Sequence, residues 1–158
     1  MVKDEFDSKI IEILQENSRL SYAQLGREIG LSPSAVAERV QRLEDTGVIV
    51  KYTTLVDHKQ LGYSLFSYIN LSFKTFQDYQ IFLKSIEKFP EIVQCSRITG
   101  NDCLIMKVVL IDNTHLENVV DRLAAYGSPS TSVVLSDIVK NGQMKPVREC
   151  KELKKKVD

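Results

Sequence analysis

In the first third of the chain, apolar residues recur at helical spacing; beyond it, alternation sets in and gives way to helical spacing only twice. Phe6, Ile10, Ile13 and Leu14 mark an amphipathic helix between Asp4 and Asn17, with Asp4 placed to cap it. Ser21 can cap a shorter helix whose inner face is Tyr22, Leu25 and Ile29 and which Gly30 stops. A third helix follows at once. Ser32 is its N-cap, Pro33 stands at the first helical position, and Leu31 and Val36 can form a hydrophobic staple. Val36, Val40 and Leu43 form one narrow apolar stripe, Ser34, Glu38, Gln41 and Arg42 point away from it, and Gly47 ends the helix. Three short helices, the last two joined by Gly30-Leu31-Ser32, have the layout of a helix-turn-helix.

After Gly47 the pattern changes. Val48 to Val56 is rich in β-branched residues and predicts a strand or small wing, and Asp57 to Gly62 reads as a linker. Tyr63 to Phe73 alternates with the period of a strand. Tyr79, Phe82, Leu83, Ile86 and Phe89 then predict a helix closed by Pro90. Ile92 to Ile98 and Leu104 to Leu110 predict two strands joined by the turn Thr99-Gly100-Asn101-Asp102. Leu116, Val119, Val120 and Leu123 predict a further helix, and Thr131 to Val139 a last strand. The order is β-α-β-β-α-β, a ferredoxin-like split unit. The expected fold is therefore α+β: a winged helix-turn-helix domain with its linker over residues 1–60, and a βαββαβ domain over residues 61–158.

An apolar fraction of 43% is enough for a folded core, and no run approaches the ~18–20 apolar residues of a membrane span. The N-terminus MVKDEFDSK lacks the apolar segment of a secretory signal, so the chain reads as cytoplasmic, with no membrane partner. Cys95, Cys103 and Cys150 are odd in number and widely spaced, which fits reduced thiols and no metal site. Charge gives DNA binding no help, because 21 basic residues balance 21 acidic ones. Residues 1–60 carry 8 basic against 10 acidic side chains, and the basic excess lies in residues 142–158, with 6 against 3. The basic end ECKELKKKVD reads as a short helix or a solvated tail.

Four runs carry a resemblance: DSKIIEILQENSRLS, LSPSAVAERVQRLEDTGVI, VDHKQLGY and SRITGNDCLIMKV. In this order they resemble the Lrp/AsnC (feast/famine) transcriptional regulators, from roughly Phe6 to Val139. The resemblance implies an N-terminal domain that binds double-stranded DNA. It also implies a C-terminal βαββαβ (RAM) domain that makes homodimers, often assembles them into octamers, and commonly binds an amino-acid effector where dimers meet. No other cofactor is implied. The DNA-reading helix maps onto Ser32 to Asp45, with Ser32 and Ser34 at its entering end and Glu38, Arg39, Gln41 and Arg42 further along. The family's effector loop usually places an aspartate three residues after a glycine; here Cys103 holds that position, after Gly100, Asn101 and Asp102. Asp102 can supply the charge from one residue earlier, and Ser130, Thr131 and Ser132 offer hydroxyl donors.

Side-chain chemistry divides the roles further. Arg42 and Gln41 can reach base edges, Arg39, Lys51 and Lys59 can meet phosphates, and Glu38 can accept from cytosine or repel phosphate. Arg39 lies nearer the apolar stripe, so pairing with an acidic neighbour to hold the helices together is an equal alternative. One small module buries too little surface for tight specific binding, so pairing through the second domain is expected, with Phe66 and Tyr68 on the sheet face a partner would cover. A half-solvated sheet and a plain hairpin turn at Gly100-Asn101-Asp102 are the alternatives. Cys103 and His115 could be imagined as nucleophile and base, but no flanking signature supports catalysis. The functional expectation is an oligomeric, sequence-specific regulator modulated by an amino acid or related metabolite. The alternative is an effector-independent protein that wraps DNA.

Overall fold

The computed structural model describes residues 2–139 and 142–146. Cys150 and the basic end ECKELKKKVD lie outside the described residues. The chain divides into two compact units, Met1–Thr54 together with the stretch from Val139 onward, and Leu55–Ile138.

The first unit holds three helices: α1 (Glu5–Glu16), α2 (Tyr22–Ile29) and α3 (Pro33–Asp45). Each begins where a side chain can take an otherwise unpaired backbone N–H. Asp4 accepts from the Asp7 N–H, Ser21 forms a reciprocal box with Gln24, and Ser32 accepts from the Ala35 N–H. Ile10, Leu25, Ile29, Val36, Val40 and Leu43 close into one buried core. The turn between α2 and α3 is made by Gly30 in the left-handed region (φ 76°) and by the Leu31 N–H bonding to the Gly26 carbonyl. That return brings the Leu31 carbonyl against α2, where a Cβ on Gly26 would lie 2.4 Å from its oxygen. Val48 and Ile49 still pack on this core, but Val50 to Val56 is exposed and forms no strand, contrary to the wing expected there. Its β-branched residues find no partner strand, and β-propensity is realised only through pairing. Farther along, Met144 returns to α1, where the Gln15 side chain accepts from its N–H (2.8 Å) and donates to its carbonyl (3.0 Å).

The second unit runs β1 (Leu65–Ser72), α4 (Phe76–Ser85), a single 3₁₀ turn (Ile86–Lys88), β2 (Ile92–Arg97), β3 (Leu104–Leu110), α5 (Asn113–Ala124) and β4 (Ser128–Val133). All neighbours are antiparallel in the order β2-β3-β1-β4. Ile69 and Leu71 of β1, Met106 and Val108 of β3, Phe82 of α4, and Val119 and Leu123 of α5 are buried together. Phe82 meets Phe73, Phe89 and Tyr126 at ring separations of 5.5–5.8 Å, which locks α4 onto the sheet. The last strand begins three residues earlier than the β-branched run suggests, because its register is set by β1, with Ser72 opposite Ser128 and Ser67 opposite Val133. Pro129 is tolerated there because β4 is an edge strand. No described helix is long and apolar enough to cross a membrane.

Under α5, the half-buried His115 and Arg122 hold the buried Glu91 through Nε2 (3.2 Å) and a guanidinium nitrogen (2.8 Å). His115 is thus a packing residue whose Nδ1 also accepts from the Ile111 N–H. Burial alone would push the Glu91 carboxyl up. Hydrogen bonds from its own backbone N–H, Arg122 and His115 outweigh that and hold it below the usual carboxylate range.

Two outcomes follow. Gly26→Ala forces backbone apart in the helix-turn-helix turn and is expected to lower stability by about 3 kcal/mol, read by urea unfolding followed by circular dichroism; an unchanged midpoint would show that the turn has slack. Because Glu91 is depressed in the folded state, its contribution is present above about pH 4.5, its usual value, and is lost as pH falls through the folded value. Glu91→Gln should therefore flatten the decline of the unfolding temperature below pH 4.5; an identical slope in both proteins would contradict this.

Candidate nucleic-acid interface and ligand pocket

On α3 the exposed residues Ser34, Glu38, Gln41 and Asp45 lie at intervals of four, three and four, so they form one stripe opposite Val36, Val40 and Leu43. Gln41 donates to Asp45 (2.9 Å), and the Ser32 and Ser34 hydroxyls lie 3.1 Å apart at the N-terminal end. This face carries donors and acceptors but no cation of its own.

The two arginines of α3 are engaged elsewhere. Asp7 of α1 is fully buried, and Arg42 donates to both of its oxygens (2.6 and 2.7 Å) while Arg39 donates to one (2.8 Å) and also to both oxygens of Asp4. For Arg39 this is the pairing alternative raised by its position near the apolar stripe; for Arg42 it differs from the base-reading expectation. The reason is geometric: the last turn of α3 lies beside the first turn of α1, and a buried carboxylate there requires cations to compensate its lost hydration. Asp4 is held below the usual carboxylate range, first by the Asp7 N–H and then by Arg39. The Arg39 guanidinium also stands 5.3 Å from the centre of the Phe6 ring.

Lys51 is exposed in the irregular stretch after α3. Arg19 and Arg27 are further cations that the residue pattern does not single out. Both are exposed, and among the described residues neither makes an ion pair, unlike Arg39 and Arg42. Their signal was available, since Arg19 precedes the cap of α2 and Arg27 falls on its polar face.

In the second unit, the hairpin Gly100 to Cys103 joins β2 to β3 beside the end of β1, where the Cys103 N–H bonds to the Leu71 carbonyl. Asp102 accepts from the Asn70 side chain (3.0 Å), and Asn70 is the cross-strand partner of Ser130. Asp102 and Ser130 are thus brought to one end of the sheet through Asn70, a residue the strand alternation gave no reason to single out. Ser132 pairs with Tyr68 on the same face, and Thr131, opposite Ile69, is on the other. A hollow of about 770 Å³ opens beside the hairpin, with Gly100, Asp102 and Cys103 in its wall together with Phe73, Phe76, Tyr79 and Arg97. Asn101 and the β4 hydroxyls do not line it. Cys103 and His115 fall at opposite ends of β3, so the imagined nucleophile and base are not assembled. His58, placed by sequence in the linker, packs edge-on against Phe66 at a ring separation of 4.0 Å.

Residues 4–44 match the AsnC-type helix-turn-helix domain, and residues 64–144 match the Lrp/AsnC ligand binding domain. The chain is 38% identical over 144 residues to the HTH-type transcriptional regulator LrpC of Bacillus subtilis, covering 90% of this chain and 99% of that protein. The structure of B. subtilis LrpC aligns with a TM-score of 0.82 at 37% identity, covering 89% of this chain and 99% of that one. The transcriptional regulator NMB0573 of Neisseria meningitidis, solved in complex with L-methionine, aligns with a TM-score of 0.84 at 28% identity, covering 93% and 98%. These similar proteins are transcriptional regulators, not enzymes.

Arg42→Ala leaves the buried Asp7 with Arg39 as its one remaining arginine. It is expected to destabilise the first unit by about 3 kcal/mol, the low end for breaking a buried pair. Denaturant unfolding followed at helix wavelengths reads this, and a change below about 0.5 kcal/mol, the size of an ordinary surface substitution, would contradict the clamp.

Proposed function

Because the chain belongs to the Lrp/AsnC family of transcriptional regulators, we propose that it is a sequence-specific, homo-oligomeric DNA-binding regulator acting in the cytoplasm and modulated by an amino acid. The observation that carries the DNA half is the uncharged and acidic stripe of α3. Ser32, Ser34, Glu38 and Gln41 are exposed on the outer side of α3 where they can meet base edges, Gln41 by exchanging its bond to Asp45, while Arg39 and Arg42 are turned to Asp7. In this reading the arginines set the angle of α3 through α1 and do not themselves read bases. Lys51, Arg19 and Arg27 supply the phosphate contacts that position the module.

Two modules on one duplex are needed, and the second unit joins them. The helix-free face of its sheet carries Phe66 and the half-exposed Tyr68, with the Lys107 ammonium 4.6 Å from the centre of the Phe66 ring. A second copy covers this face in a dimer, and dimers assemble further, to an octamer. The division of labour follows the sequence boundaries: residues 1–60 bind DNA, and residues 61–158 assemble and bind effector. The effector acts at the end of the sheet marked by Gly100 to Cys103 and Ser130 to Ser132, a reading supported by the L-methionine bound to the Neisseria relative. It can shift assembly only through unequal affinity for two arrangements of dimers.

The alternative of effector-free DNA wrapping is driven by phosphate contacts, and the cation-free face of α3 speaks against it. The test is a mobility shift on a site selected from random DNA. Gln41→Ala should weaken the selected site about ten- to a hundredfold, the worth of one good base contact, and leave unrelated DNA unaffected. Equal losses on both, or no loss, would remove the stripe from its role. A steep salt dependence that is the same for every sequence would favour wrapping.

A further inference from the structure

The basic excess of the chain lies in its last residues, and the fold carries that part of the chain back to the DNA-facing unit. Residues 1–54 hold 7 basic side chains against 9 acidic, a net −2, whereas residues 139–158, which fall in the same compact unit, hold 7 against 3. Taken together they give the unit a net +2. Arg39 and Arg42 are engaged by Asp4 and Asp7, and the outer stripe of α3 holds no cation. Attraction to the duplex backbone therefore has to come from elsewhere in the unit.

The returning segment is anchored by a two-way contact. The Gln15 side-chain amide accepts from the Met144 N–H (2.8 Å) and donates to the Met144 carbonyl (3.0 Å), so it pairs with that residue as a neighbouring strand would. Both bonds go to backbone, so the contact fixes the path of the chain and is indifferent to the Met144 side chain, which is 81% exposed. Lys145 adds a looser contact to Glu12 (3.8 Å), three residues before Gln15 on the same side of α1. Gln15 stands in the last turn of α1, about 12 Å along the helix from Asp7, at the end that leads through Asn17 to the exposed Arg19. The Asp7 clamp and this anchor thus hold opposite ends of α1.

From the anchor the sequence continues with Arg148, Lys151, Lys154, Lys155 and Lys156 against Glu149, Glu152 and Asp158. The match to the ligand binding domain stops at residue 144, so these cations lie beyond it. The chain from Lys145 to Lys156 spans at most about 40 Å when extended, more than three widths of a major groove. We propose that the segment after Met144 is a phosphate-binding arm of the DNA-binding unit: the Gln15 contact delivers it beside Arg19, and its cations meet the duplex backbone that α3 leaves unneutralised. Tethering at one end raises the concentration of those cations at the DNA. The arm adds affinity without sequence choice, because phosphate contacts carry no base information. This inference rests on the reading that the unit binds DNA, and gives it a second element. Docking of the arm on α1 is the competing arrangement, but there Glu5, Asp7 and Glu12 already have cations among the described residues, and Glu16 by itself is a poor partner for a run of three lysines.

The test is the salt dependence of binding to the selected site and to unrelated DNA, read by fluorescence anisotropy. In the full chain, Lys154→Gln, Lys155→Gln and Lys156→Gln together should lower the slope of log affinity against log salt by about 2 to 3 for each DNA-bound chain. Both DNAs should weaken to the same degree, so that the selected-to-unrelated ratio stays the same. Gln15→Ala should weaken binding in the full chain and have no effect in a chain stopped after Pro146, because the amide acts only through the arm. Sedimentation velocity should show the same assembly for every variant. An unchanged slope, or tighter binding after neutralisation as docking on α1 would give, would overturn the arm and leave DNA binding by α3 standing. Altered assembly in the triple variant would make the segment an assembly element and overturn the arm as well. Gln15→Ala acting equally in both chains would overturn delivery by α1. A full chain that binds no DNA would overturn both this inference and the reading beneath it.

Discussion

A carboxylate with no exposure to water, bound by two guanidinium groups from another helix, governs the DNA-facing half of this molecule. Asp7 has given up its hydration, and the donors of Arg39 and Arg42, together with the Lys3 N–H, make that tolerable. The consequence is directional as well as energetic. Apolar packing of Ile10 on Val36, Val40 and Leu43 holds α1 and α3 together but permits sliding and rotation, whereas two-oxygen bonding of Arg42 to Asp7 admits a narrow range of angles. Fixing α3 from its inner side leaves its outer stripe short, polar and unobstructed, a surface that can enter a groove without carrying its own counter-charge.

A chain with 21 basic and 21 acidic residues carries no net basic field, and the pairing of Arg39 and Arg42 with Asp4 and Asp7 withdraws two charges of each sign without changing that balance. What faces outward, among the described residues of the first unit, includes Arg19, Arg27 and Lys51.

Most of the architecture was legible in the residue pattern because its determinants are local. Caps at Asp4, Ser21 and Ser32, the left-handed Gly30 and Gly47, and the period-two alternation of β1 each act within a few residues, and the structure realises them in place. What local pattern could not supply were relations between distant positions. Arg42 has the spacing of a free helix face, and nothing nearby announces that Asp7, 35 residues earlier, will claim it. Val50 to Val56 has strand propensity without a strand to pair with, and β4 takes its start from the register of β1 and from Gly127, where a Cβ would lie 2.3 Å from the Ser72 carbonyl oxygen. The same holds for the candidate pocket. The Gly100 to Cys103 hairpin stood out through its turn residues, whereas Asn70, Arg97, Phe76 and Tyr79 read as ordinary strand and helix positions until the fold gathered them around it.

The orientation of α3 on DNA depends on whether Arg42 stays with Asp7, and a crystal structure of the protein bound to its selected site measures that separation directly. The prediction is that α3 lies in the major groove with Ser34, Glu38 and Gln41 toward the bases and the Arg42–Asp7 contact unchanged from its 2.6 Å in the free protein. An Arg42 side chain extended to a base edge, with Asp7 left to Arg39 alone, would contradict it.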